Sequence, residues 1–184
     1  LTVWDLRNLY EHLKTKATKI HFFGLGFIQV KINDSERYHF YSPGLAAFVP
    51  PEEIHDHRYD FISSVVKGCL SQEIYTFSPK EKSDYVLRYV SCDPNYTAPT
   101  ERQYVIPELL STVHSNCGSQ YKLSEKAMHK VLPVASSTIT YLQRGSKVKP
   151  FARVISSASK EVCPFSKDLP EAELWEWVKK IIED

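Results

Sequence analysis

Between residues 26 and 156 the chain is a succession of short segments rich in β-branched and aromatic residues, many closed by a turn signal. GFIQVKI (26–32), RYHFYS (37–42), DFISSVVK (60–67), SQEIYTF (71–77) and YVLRYVSC (85–92) are followed by QYKLS, STITYLQ and FARVIS, with SPG, KG and RGS as punctuation. Eight or so strands of this length need closed or covered edges, so the pattern predicts an all-β sandwich or barrel. A double-sheet jelly roll meets that need and leaves a pocket at its mouth.

The two ends follow another period. Val3, Leu6, Leu9, Tyr10 and Leu13 form one apolar face after Thr2, a residue able to cap, and predict a helix over about 3–15. Leu174, Trp177, Val178 and Ile181 do the same after Asp168, Leu169 and Pro170, predicting a helix over about 169–183 with Pro170 in its first turn. The stretch from Asp93 to Gly118, with prolines and polar residues around VIPELLSTV, reads as a long connection with one helical turn. At 184 residues a single domain spanning 1–184 is expected.

Composition narrows the partners. With 23 basic and 22 acidic side chains, net charge is +1, without the basic excess of a nucleic-acid binder. Cys69, Cys92, Cys117 and Cys163 form no CxxC pair, which argues against a zinc knuckle or dithiol motif and for reduced thiols. No window approaches the ~20 apolar residues of a membrane span. The expectation is a soluble, cytoplasmic protein, monomer or homodimer, whose partner is a small molecule rather than nucleic acid or membrane.

The chemistry-bearing feature is EIHDHRYDF, at residues 53–61. In extended backbone His55 and His57 share a face with Cα atoms roughly 6.5 Å apart, so two tilting imidazoles can meet one ion at about 2.1 Å. FISSVVKG and LSQEIYTF read as a hairpin turning near Lys67 to Cys69, which would lay Glu73 beside the strand after the histidines. YKLSEKAMHKVLPV supplies a third donor, His129, at the start of another strand. His12, His21, His39 and His114 are expected to be structural or exposed.

PPEEIHDHRYDFISSVVKGCLSQEIYTF and KLSEKAMHKVLPVASSTITYLQRG resemble the two metal-binding motifs of the cupin superfamily, and most closely those of the cysteine dioxygenase-like thiol dioxygenases. The resemblance covers about residues 48–145. It implies a double-stranded β-helix (jelly roll), with His55, His57 and His129 at the three metal-ligand positions and Gly68 at the turn. It also has departures. Where general cupins carry a glutamate ligand this chain has Phe61 and Ile62, with Asp60 one step early, and the cysteine that forms a thioether in animal cysteine dioxygenases is absent.

The site so implied has one divalent ion on three histidines, with Glu73 or Asp60 as a fourth ligand or outer partner. Fe(II) is favoured, with Ni, Zn or Mn as alternatives. Tyr75, Tyr59, Tyr141 and Arg153 are candidate catalytic or substrate-binding groups, with Arg153 or Arg144 as anion anchors. The activity implied is that of a mononuclear non-haem Fe(II) dioxygenase acting on a small molecule. A non-catalytic binding or sensor module and a metal-dependent sugar or keto-acid isomerase are the alternatives.

Overall fold

The computed structural model describes residues 6–46, 54–91, 95–157 and 169–184. Thr2, Val3, Cys92, Cys163 and Asp168 lie outside these residues, as does the PPEE lead-in to the first histidine motif.

Helix α1 (Leu6–Lys16) leads into a meander of β1 (Lys19–Phe23), β2 (Phe27–Lys31) and β3 (Glu36–Tyr41), closed by a single turn α2 (Pro43–Ala46). Then come β4 (Ile54–His55), β5 (Phe61–Lys67), β6 (Cys69–Pro79), β7 (Tyr85–Val90) and β8 (Gln103–Asn116). The chain continues through β9 (Gln120–Leu123), β10 (Met128–Val131), β11 (Thr138–Arg144), β12 (Ala152–Ser157) and helix α3 (Glu171–Glu183). One antiparallel sheet has the order β1-β2-β3-β11-β5-β9, and the other six strands pair in a closed ring, β10-β4-β12-β7-β8-β6. This is the all-β, double-sheet architecture expected from the sequence, with a helix toward each end.

Strand alternation decides what the first sheet presents to each side. Phe22, Ile28, Val30, Tyr38, Phe40 and Ile139 point to one face, where Leu9, Leu13, Leu174, Val178 and Ile181 of α1 and α3 cover them. Lys67 Nζ donates to the Ile181 and Ile182 carbonyls at 2.9 and 3.0 Å, satisfying the C-terminal end of α3. The alternate positions, among them His21, Gln29, Arg37, His39 and Leu142, face a cleft shared with the histidine motif.

Two readings of the sequence are corrected. The stretch before Gly118 is not a helical connection: β8 fills Gln103–Asn116 and pairs with β6 from Cys69↔Asn116 to Pro79↔Val105. Its pairing with β7 ends at Val105. Past that point one edge is unpaired among the described residues, where a proline such as Pro107 costs no ladder bond if its nitrogen faces outward. Nor do β5 and β6 form a hairpin, since β5 pairs with β11 and β9 while β6 pairs with β10 and β8. Gly68, at φ +72°, turns the chain from one sheet to the other, and a Cβ there would stand 2.6 Å from the Ser137 carbonyl oxygen.

Candidate metal centre

The single paired position between β4 and β10 sets His55 directly opposite His129. Their ring centroids are 4.7 Å apart, and the His57 ring lies 5.0 Å from His55 and 5.1 Å from His129. One ligand atom from each of the three falls within 4.8 Å of the others. The His57 and His129 Nε2 atoms face one another at 2.9 Å. Two nitrogens about 2.1 Å from one ion stand ~3.0 Å apart at a right angle and ~3.4 Å apart at the tetrahedral angle. The pair therefore fits adjacent positions of a facial donor set, and the group is compatible with a metal site.

The protonation state fits too. Burial holds His57 and His129 well below the ordinary histidine pKa, with His55 adding to the effect on both, so their imidazoles are neutral at neutral pH. His129 Nδ1 lies 2.9 Å from Gln72 Oε1, and Gln72 is fully buried. The amide oxygen accepts the Nδ1 proton, which leaves the Nε2 lone pair directed at the cluster. Phe61 is buried with its ring edge-on to His57 at a centroid distance of 4.8 Å. An apolar wall stands where the general cupin pattern has a carboxylate.

The short β4 is fixed from behind. Asp56, between the two histidines, is only 1% exposed. It accepts from Lys149 Nζ and Arg153 Nε at 2.6 Å each and from the Arg153 backbone N–H at 2.7 Å. This buried pairing latches the histidine strand onto β12. It also commits Arg153, expected as an anion anchor, to the back of the site.

The other predicted groups divide by strand face. Glu73 and Tyr75 do not reach the histidines. Register places Gln72 and Ile74 on the His129 side and Glu73 on the opposite face, where the Tyr75 hydroxyl donates to Glu73 at 2.6 Å. Burial first, then that carboxylate, raises the Tyr75 pKa to about 12. Tyr141 alternates with the cleft-lining Leu142, packs toward α1 and α3, and bonds Glu36. Asp60 accepts the Glu125 N–H at 2.8 Å, an interaction that holds its pKa below the usual carboxylate range. Tyr59 does remain near the site, its ring 5.8 Å from His57 and its hydroxyl accepting from Arg37 Nη1 at 3.1 Å. His12 and His114 are exposed.

Two spaces meet at His39, His55 and His57. One, of about 90 Å³, lies on the His129 side against Phe27, Phe61, Val131 and Val134. The other is an open cleft of about 400 Å³ carrying Arg37, Tyr59 and Arg144.

Gln72 was missed from sequence. Its signal was an amide in the alternating series Leu70, Gln72, Ile74, where neighbours at the same parity are apolar. His39, expected to be structural, lines both spaces, with its Nε2 3.0 Å from Gln29 Nε2.

No family model and no curated protein matches this sequence. Among solved structures, hydroquinone 1,2-dioxygenase from Sphingomonas sp. TTNP3, with 4-hydroxybenzoate bound, aligns at 12% identity and a TM-score of 0.33. The alignment covers 62% of this chain and 63% of that one, less than two thirds of the dioxygenase's length. A cupin domain from Bordetella pertussis Tohama I aligns at 14% identity and a TM-score of 0.27, over 66% of this chain and 95% of that one. The strand pairing and side chains of this chain, rather than these distant likenesses, carry the functional reading.

Proposed function

We propose that this chain is a metal-dependent cupin enzyme acting on a small molecule, a mononuclear Fe(II) dioxygenase whose ion is held by His55, His57 and His129. The observation that carries the proposal is the convergence of three imidazoles, joined by no carboxylate among the described residues and with one ring oriented by a buried amide. Such a set leaves a divalent ion its full charge and open positions, and iron so held supplies oxygen chemistry. The proposal takes 1–184 as one cupin-like domain, cytoplasmic, monomeric or homodimeric, with neither nucleic acid nor membrane as partner.

The chain's own residues have distinct tasks in this reading. Gln72 fixes the His129 tautomer, and Asp56 holds the segment that carries the other two histidines. Phe61 keeps a fourth protein ligand and bulk water from one side. The small apolar space beside His129 has room for a few water-sized molecules, while the larger cleft admits substrate.

The test is anaerobic loading with Fe(II) followed by nitric oxide, read by electron paramagnetic resonance. A high-spin iron–nitrosyl signal that is lost in His129→Ala supports an open three-histidine iron site. Iron that binds and gives no such signal contradicts the dioxygenase reading and favours the sensor module. The resemblance to thiol dioxygenases makes cysteine, cysteamine and 3-mercaptopropionate the first substrates for oxygen-uptake measurements.

A further inference from the structure

Among the described residues, the cleft in front of His55 and His57 is lined by six cationic side chains, Lys19, Lys31, Arg37, Arg58, Arg144 and Lys147, against two carboxylates. Both carboxylates are already engaged. Asp34 pairs with Lys31 at 2.7 Å, and Asp56 is neutralised from behind by Lys149 and Arg153. The chain as a whole carries a net charge of only +1, so this local excess is a matter of placement, not composition.

Arg37 is the innermost cost. It is 9% exposed, and its Nε–H is buried without an acceptor among the described residues. Nη1 is spent on Tyr59, and Nη2 has a long 3.4 Å contact with the Asp34 carbonyl. A buried guanidinium with an orphaned donor, sharing a concave cleft with five other cations, destabilises the protein unless something negative enters. Arg37 lines the cleft, and a guanidinium is the side chain that takes an oxyanion through parallel N–H···O bonds.

We infer that the cleft binds a small molecule bearing at least two negative charges, a phosphate ester or a dicarboxylate, with one oxyanion on Arg37 and the remainder extending toward the histidines. As an account of substrate class this rests on the metal-centre reading, but the binding itself does not require the ion. With Asp34 taken by Lys31, five cations remain, so one negative charge leaves most of the excess unmet and a second meets more of it. The volume of about 400 Å³ lies within the ~300–1,000 Å³ typical of small-molecule sites.

The experiment is calorimetric titration of metal-free protein with inorganic phosphate, succinate, acetate and succinamide, repeated at raised potassium chloride. Phosphate or succinate is expected to bind at least tenfold more tightly than acetate, with succinamide silent and the affinity falling with salt; which dianion binds better separates the phosphate from the dicarboxylate source. Arg37→Gln, checked for folding by its thermal transition, is expected to lose at least tenfold, and the exposed pair Lys19→Ala/Lys147→Ala severalfold. Should Arg37→Gln not fold, the lysine pair alone decides. No binding by either dianion, equal binding of acetate or succinamide, or affinities unchanged in the folded variants would overturn the inference. The same titration on His55→Ala/His57→Ala separates the two readings. Retained dianion binding in a protein that never holds metal removes the metal centre alone, and full metal content without dianion binding removes the cleft alone.

Discussion

Gln72 Oε1 accepts a hydrogen bond from His129 Nδ1 at 2.9 Å, and the two residues belong to strands paired in the ring sheet. A buried amide oxygen in that position selects one histidine tautomer, and so decides which ring nitrogen meets the other two imidazoles.

Replacing Gln72 by Leu therefore weakens metal binding about 10–100-fold, the range seen for outer partners of metal-bound histidines, with Gln72→Glu retaining more because it keeps an acceptor. Competition against a chromogenic chelator measures this. Equal affinity in wild type and Gln72→Leu would show that the hydrogen bond orients nothing.

Glu73→Gln, by contrast, leaves metal affinity within about twofold, since that side chain faces away from the histidines and bonds Tyr75. A tenfold loss in the same chelator assay would make Glu73 a ligand after all.

The buried Asp56 predicts a stability effect instead. Asp56→Ala strands Lys149 and Arg153 beside an emptied buried position, and breaking such a pairing costs about 3–5 kcal/mol. Urea unfolding of the metal-free protein reads it directly. A change under about 1 kcal/mol would show that the latch is replaceable by water.

Much of this was legible from sequence. β5 opens on an alternation of buried and exposed positions, β2, β3 and β11 are β-branched and aromatic runs with buried residues on both faces, and His55 on β4, His57 just after it and His129 on β10 converge. β8 was not legible, because only Val105 and Ser115 of its 14 residues are buried and a strand that buries so little shows no period. Glu73 was expected beside the histidines because β5 and β6 read as a hairpin. Gly68 switches sheets instead, and with β6 paired to β10 it is Gln72 and Ile74 that share the His129 side. Tyr75 and Tyr141 were misplaced by one residue of parity.

Acid weakens the fold through its buried histidines. Burial first, then nearby Lys19 for His21 and Arg37 for His39, lowers these two to about 4 and about 3. Unfolded histidines titrate near ~6.5, so between that pH and these values the unfolded chain binds protons that the folded chain refuses. The stability present above about pH 6.5 is thus lost as pH falls, with a slope of up to ~1.4 kcal/mol per pH unit for each such group. His39→Asn removes one of them, and its urea midpoint falls less between pH 7 and pH 5 than that of the wild type. Parallel pH dependence in the two proteins would refute the assignment.

The central claim is tested most directly by elemental analysis of protein purified without an affinity tag or added metal. Wild type, His55→Ala/His57→Ala, His129→Ala and His114→Ala are compared. The account predicts about one equivalent of a divalent metal, iron foremost, in wild type and in His114→Ala, whose altered side chain is exposed and bonds Ser71. It predicts loss of that metal in the other two variants. Metal content that is the same in His129→Ala and His114→Ala, or absent from wild type even after reconstitution, would contradict the three-histidine centre.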